Sequence, residues 1–215
     1  FLEVSGRKGV GVKADDLLNR LEEKALIEVN KRNPQFSLNQ KSTAAHKIAC
    51  GALRYFMLKF TNNSLIIFDF DEALNFEGET GVYLQYSSVR INSIFRKLKE
   101  REGIEEANIL SLISPETISL NDLPESEMSD FWDIVLHASK LDEEVLHSIR
   151  SLEFSHLAKY SFNFCQKINA YYHKYQILSE KNREIKNIRI LTIYYLKKIL
   201  NQALSLMGIP QLERM

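Results

Sequence analysis

A helical apolar repeat in the C-terminal part of this chain most narrows what it can fold into. Leu157, Tyr160, Phe164, Ile168 and Tyr171 recur every three or four positions, and Ile188, Leu191, Tyr195, Ile199, Ala203 and Leu206 resume the period. Such spacing gives an α-helix one buried stripe. Two stretches of it in series argue against a β-barrel over residues 155–207. With 8 Gly and 4 Pro in 215 residues, the chain has few turn formers, which suits long helices with short connections. Gly208 stands at the position that ends the last helix, and Pro210 prevents its continuation.

The rest of the chain has the same organisation. Asp15 and Asp16 open a helix to about Arg32 with Leu17, Leu18, Leu21, Ala25 and Val29 on its apolar face, and Asn33-Pro34 stops it. Ser37-Leu38-Asn39-Gln40 is a capping-box pattern, and the following helix carries Ala44, Ile48, Ala52, Tyr55 and Met57. Leu65 to Phe70 reads as a short β-like or extended apolar run. Asp71 can cap a helical turn through Phe76, which Gly78 would end. A helix from Thr80 to Arg101 buries Leu84, Ile91, Ile94 and Leu98, and Gly103 stops it. Residues 104–124 read as a short helix and a loop. Residues 125–140 and 141–153 form two helices, and the last helix runs from about Ser179 to Met207. The expected class is mainly α, a helix bundle.

Formal net charge is zero, so any polyanion binding rests on local charge. Nine acids and one base occupy 116–144, five bases and Glu100 occupy 90–101, and six bases with Glu180 and Glu184 occupy 180–198. Solvated helix faces explain such patches, and two basic helices with aromatics also suit phosphate contacts. Cys50 and Cys165 lie in apolar helical patterns and read as buried, reduced thiols. The five histidines make no ligand or triad pattern, so no metal site is expected. No apolar run reaches the ~20 residues of a membrane span. A soluble cytoplasmic monomer is expected. The first residue is Phe, which reads as a piece of a longer polypeptide.

Tyr83, Tyr86 and Arg90 are spaced i, i+3, i+7 and share a helix face. Aromatic and guanidinium planes on one face are parts for stacking unpaired RNA bases, and helix packing explains the same spacing. Their context goes further. The run Asp69-Phe70-Asp71-Glu72-Ala73-Leu74-Asn75-Phe76-Glu77-Gly78 followed by Tyr83-Leu84-Gln85-Tyr86-Ser87-Ser88-Val89-Arg90 resembles the junction of catalytic and anticodon-binding domains in arginyl-tRNA synthetases. Met207-Gly208-Ile209-Pro210-Gln211-Leu212-Glu213-Arg214-Met215 is similar to that family's ending, with Leu212 where a proline commonly stands. Ile168-Asn169-Ala170-Tyr171-Tyr172-His173 resembles its Phe-Asn-x-Phe-Tyr segment.

Val4-Ser5-Gly6-Arg7-Lys8-Gly9 resembles the second class I signature loop, with Glu3, Val4 and Gly6 departing from Lys-Met-Ser-Lys-Ser. The resemblance implies a catalytic-domain remnant over 1–13, a helical connector over 14–78 and an anticodon-binding bundle of the class I type over 79–215. It implies arginine tRNA as partner, bound by Tyr83, Tyr86, Arg90, Tyr172, Lys197, Lys198, Arg214 and Met215, with Asn169 satisfying backbone groups. The parent enzyme would use L-arginine, ATP and Mg2+ to form an arginyl-adenylate. Arg7 and Lys8 would be catalytic, with Ser5 and Gly9 at the ATP. The His-x-Gly-His signature of that reaction is not in this sequence, so the fragment alone is expected to be inactive. A stand-alone RNA-binding module and a helical protein-interaction domain remain alternatives.

Overall fold

A computed structural model describes residues 13–114 and 118–215. Its helices are α1 (Ala14–Arg32), α2 (Leu38–Leu58), α3 (Phe70–Ala73), α4 (Gly81–Glu102), α5 (Ile109–Leu112), α6 (Glu125–Ser139), α7 (Leu141–Ser151), α8 (Ser155–Lys174) and α9 (Arg183–Leu206). Short 3-10 turns stand at Glu106–Asn108 and Leu120–Asp122, and no strand occurs among the described residues. No described helix is long and apolar enough to cross a membrane.

Two cores divide the molecule. One joins α1 and α2 through Leu21, Ala25, Val29, Ala45, Ile48 and Phe56. The larger joins α4, α6, α8 and α9, with Leu84, Ile91, Phe164, Ile168, Ile193 and Leu196 at its centre. Expected boundaries hold: Ser37 and Gln40 make a reciprocal capping box, α4 starts just after Thr80, which caps it by accepting from Tyr83 N–H, and Gly103 ends α4 at φ 69°. Where α2 and α4 cross, a Cβ on Gly81 would lie 2.2 Å from the Gly51 carbonyl oxygen. Only glycine at 81 permits this approach.

Several local expectations are corrected. Residues 65–69 have no regular structure, and Phe70 already begins α3. Asp69, not Asp71, caps that turn, accepting from the N–H groups of Asp71 and Glu72. The turn ends at Ala73, well before Phe76. Asn182 starts α9 at Arg183 by accepting from Glu184 and Ile185 N–H, so residues 179–182 stay outside the helix. The buried face of α9 runs through Ile190, Ile193, Leu196, Leu200 and Leu204. Leu191, Tyr195 and Ile199 are only half-buried and Leu206 is exposed. The cause is that α9 packs against α4, α6 and α8 and is dense in apolar residues between Ile188 and Leu200, so two stripes fit its sequence; Ile188 and Ala203 of the expected stripe are buried. In α2, Met57 is exposed and Phe56 is buried.

Charge patches are also partly internal. Arg189 of α9 is buried and forms a two-pronged pair with the fully buried Glu127 of α6, at 2.8 and 2.7 Å. Tyr171 donates to the same carboxylate, and Arg189 also reaches Glu180 and the Gln176 carbonyl. Removing one partner of such a pair leaves an uncompensated buried charge. Lys186–Glu102, Lys197–Glu106 and Lys99–Glu105 are further pairs. The acidic and basic helices are thus sewn to neighbours rather than presented wholly to solvent. Cys165 is fully buried and free, and burial pushes its thiol up to about 12. Cys50 is half-buried, with burial likewise raising it.

Candidate nucleic-acid interface

The face of α4 carrying Tyr83, Tyr86 and Arg90 meets α8. Asn169 on α8 sits at the junction: its Nδ2 donates to the Tyr83 hydroxyl at 3.1 Å and to Ser87 Oγ at 2.8 Å, and its Oδ1 accepts from Arg90 Nη1 at 2.7 Å. Asn169 therefore satisfies side chains, not the backbone groups expected of it. The hydrogen bond fixes the Arg90 guanidinium 5.9 Å from the Tyr86 ring centre and 5.8 Å from that of Tyr172, within cation–π range. Tyr83 is turned inward, tilted on Phe162 at 5.4 Å. Burial, above all, raises its pKa, with the Asn169 bond opposing, and the hydroxyl stays protonated at neutral pH. Tyr86 is 39% exposed. The site thus presents Tyr86, Arg90 and Tyr172, while Tyr83 braces them.

Beyond Tyr86 the surface continues through Phe76, whose ring it meets edge-on at 6.2 Å. The Arg32 guanidinium covers Phe76 at 4.1 Å. Met215 closes a small apolar pocket beside these groups, with Val29, Ile48 and Leu74. It arrives there because the chain turns back at the end of α9. Gly208 (φ 65°) donates to Ser205 O at 2.9 Å and Ile209 N–H to Leu204 O at 2.8 Å, the paired bonds of a Schellman motif. Ile209 and Leu212 then bury in the two cores. The tail thus folds back across the bundle after the helix stop at Gly208.

The tail forms a ridge between two open grooves. One, of about 790 Å³, is lined by Asn92, Arg96, Lys99, Lys197, Gln211 and Arg214 among others. The other, of about 470 Å³, lies over Asn39, Thr43, Lys47 and Arg214. Arg214 is exposed and has no ion-pair partner among the described residues, and Arg96 bonds only Ser93 Oγ at 3.1 Å. Lys197 differs: both oxygens of Glu106 hold it at 2.7 Å. Lys198 points outward over Tyr194 at 4.6 Å. The two lysines singled out together therefore occupy different environments. Phe76, Lys47, Arg96, Gln85 and Asn92 join the site without having been picked from sequence. The signals that could have found them are the i, i+4 spacing of Asn92 and Arg96 around the basic run and the i, i+7 spacing of Gln85 and Asn92. Ser5, Arg7, Lys8 and Gly9 lie outside the described residues.

The sequence pattern of the DALR anticodon binding domain matches residues 84–215. The chain is 32% identical over 213 residues to an arginine–tRNA ligase of Clostridium perfringens, covering 99% of this chain and 35% of that protein. For the arginine–tRNA ligase of Treponema denticola the identity is 31% with the same shares. Among solved structures, Thermus thermophilus arginyl-tRNA synthetase superposes with a TM-score of 0.79 at 28% identity, over 95% of this chain and 32% of that one. The Plasmodium falciparum arginyl-tRNA synthetase gives 0.78 at 25% identity, over 95% and 34%. The chain spans about a third of the length of the curated relatives it matches.

Proposed function

Because the chain belongs to the family of DALR anticodon-binding domains, we propose that the surface from Tyr172 through Arg90 and Tyr86 to the tail receives the anticodon loop of an arginine tRNA. The observation that carries this reading is the aromatic–guanidinium group in which Asn169 sets a half-buried Arg90 between exposed Tyr86 and half-buried Tyr172, continued by Phe76 to Met215. Single-stranded RNA is read by splaying bases onto aromatic and guanidinium planes. Tyr86, Tyr172 and Arg90 supply those planes, and Tyr83 keeps Asn169 in place. Met215 offers an apolar edge beside Phe76. Arg214 and Arg96 hold the phosphates at the groove, with Lys198 a peripheral phosphate contact. Lys197 contributes less, since Glu106 already neutralises it.

In this reading, residues 14–78 are the connector and 79–215 the binding bundle; α1 and α2 supply most of the smaller core, which Val82 and Leu212 of the bundle join. The longer protein joins L-arginine to its tRNA. ATP with magnesium would supply the activated arginyl-adenylate there. Arg7 and Lys8 would steady charge developing on the triphosphate, with Ser5 and Gly9 beside it. The chain by itself is expected to bind tRNA without aminoacylating it.

The test compares two transcripts that differ only in the anticodon, at fixed salt. Wild-type protein should prefer the arginine anticodon, and Tyr86→Ala should weaken that binding by roughly 1–3 kcal/mol, the range for one stacked base. Removal of the last four residues should lower the preference. Equal binding of both transcripts by the wild type, unchanged on truncation, would reject the assignment.

A further inference from the structure

We propose that Gln85 and Asn92 are positioning residues that grip the tail by its main-chain carbonyls and thereby set where Arg214 and Met215 stand. The consequence for RNA rests on the anticodon reading above; the grip itself does not. Three successive carbonyls are taken by three side chains. Gln85 Nε2 donates to Pro210 O at 2.8 Å, Lys47 Nζ to Gln211 O at 3.1 Å, and Asn92 Nδ2 to Leu212 O at 3.0 Å. Gln85 and Asn92 are seven residues apart on α4, on one face and about 10 Å apart along its axis. They meet the tail at two points as it crosses.

The Gln85 amide is committed to this task. It is fully buried, and its Nε2 also donates to Lys47 O at 2.9 Å, joining α2, α4 and the tail through one nitrogen. Gln85 Oε1 and Asn92 Oδ1 are buried with no hydrogen-bond partner among the described residues. An unsatisfied buried acceptor is costly, so these two amides are held for their donors. The helix opposite makes room: a Cβ on Gly51 would stand 2.5 Å from Gln85 Nε2. Carbonyls are the same whatever side chain they carry. The grip therefore tolerates Leu212 in place of the proline of similar endings.

The experiment uses Gln85→Met and Asn92→Leu, neutral side chains of similar size without the amide donors. Hydrogen exchange reports the tail directly. Amides of Ile209 to Arg214, other than Pro210, should exchange about fivefold faster in each variant, the factor carried by one neutral hydrogen bond. Those in the middle of α8 and α9 should be unchanged. Unchanged tail exchange overturns the proposal. So does an equal rise throughout the helices, which a merely structural role would give. The two-transcript comparison then reads the consequence. The preference for the arginine anticodon should fall about fivefold in the variants while affinity for the other transcript holds. A freed tail with full preference overturns the link to RNA. A wild-type protein without preference overturns the anticodon reading and that link with it, and the exchange result still decides the grip.

Discussion

Asn169 donates to Tyr83 and Ser87 while its oxygen holds Arg90, so the position of one half-buried cation is fixed by an amide on another helix. An Asn169→Ala variant takes the hydrogen-bond partner from the Tyr83 hydroxyl and from Arg90, while Ser87 keeps its bond to Tyr83 O, and should lose about 1–3 kcal/mol of stability by urea unfolding. His137 gives a prediction in pH. Its ring is stacked on Tyr160 at 4.8 Å and on Phe164 at 5.7 Å. Burial, the largest cause, holds its pKa below the ordinary 6.5. The unfolded chain therefore binds the proton first, and stability is full above about pH 6.5 and declines as pH falls from there toward the folded value. Urea midpoints at pH 7, 6 and 5 should show that decline, and His137→Gln should flatten it. At this scale the sequence was half legible. The spacing of Tyr83, Tyr86 and Arg90 places them on one face, yet it cannot distinguish the braced Tyr83 from the presented Tyr86. That difference comes from Phe162 and Asn169, some eighty residues away. Likewise nothing local separates Arg189, buried on Glu127, from the solvated bases around it.

At the scale of elements, legibility followed how many neighbours a helix has. The stripes of α4 and α8 were read correctly because each shows a clear contrast between buried and polar faces. The stripe of α9 was displaced because Ile190, Leu191, Ile193, Tyr195, Leu196 and Ile199 leave little contrast to read, and three packed neighbours decide which of them are covered. The capping box at Ser37 was legible, and Thr80 was read as a helix start without its capping role. Asp69 and Asn182 were passed over for nearby residues of similar chemistry. The glycines give an element-scale prediction. At Gly81 a methyl would meet backbone of α2, which cannot swing aside. Gly81→Ala should therefore cost at least the upper end of the ~1–3 kcal/mol usual for overpacking. At Gly103 the same methyl meets open space, and only its φ of +69° is strained, so Gly103→Ala should cost roughly 1–2 kcal/mol. Thermal unfolding of the pair should reproduce that order.

For the whole molecule, neutrality conceals a division of labour among the bases. Lys186, Arg189 and Lys197 are tied to acids of other segments, whereas Arg96 and Arg214 face the groove beside the tail. Replacing Arg96 and Arg214 by Ala should lower the slope of log affinity against log salt by about 0.7 per cation for single-stranded RNA. Lys197→Ala should change it less. A larger change from Lys197 than from Arg214, measured by salt titration, would reverse this ranking. The tail has one more consequence, in time rather than in space. Its carbonyl at Gln211 is held by a lysine 164 positions earlier, and Leu212 completes a core built mostly from the first two helices, with Ala73 and Val82. Closing so long a loop adds little to the equilibrium cost, since each doubling of length adds only ~0.6 kcal/mol, but distant contacts slow the approach to them. The first two helices can pair early, and their core stays unfinished until the other end of the chain returns to it.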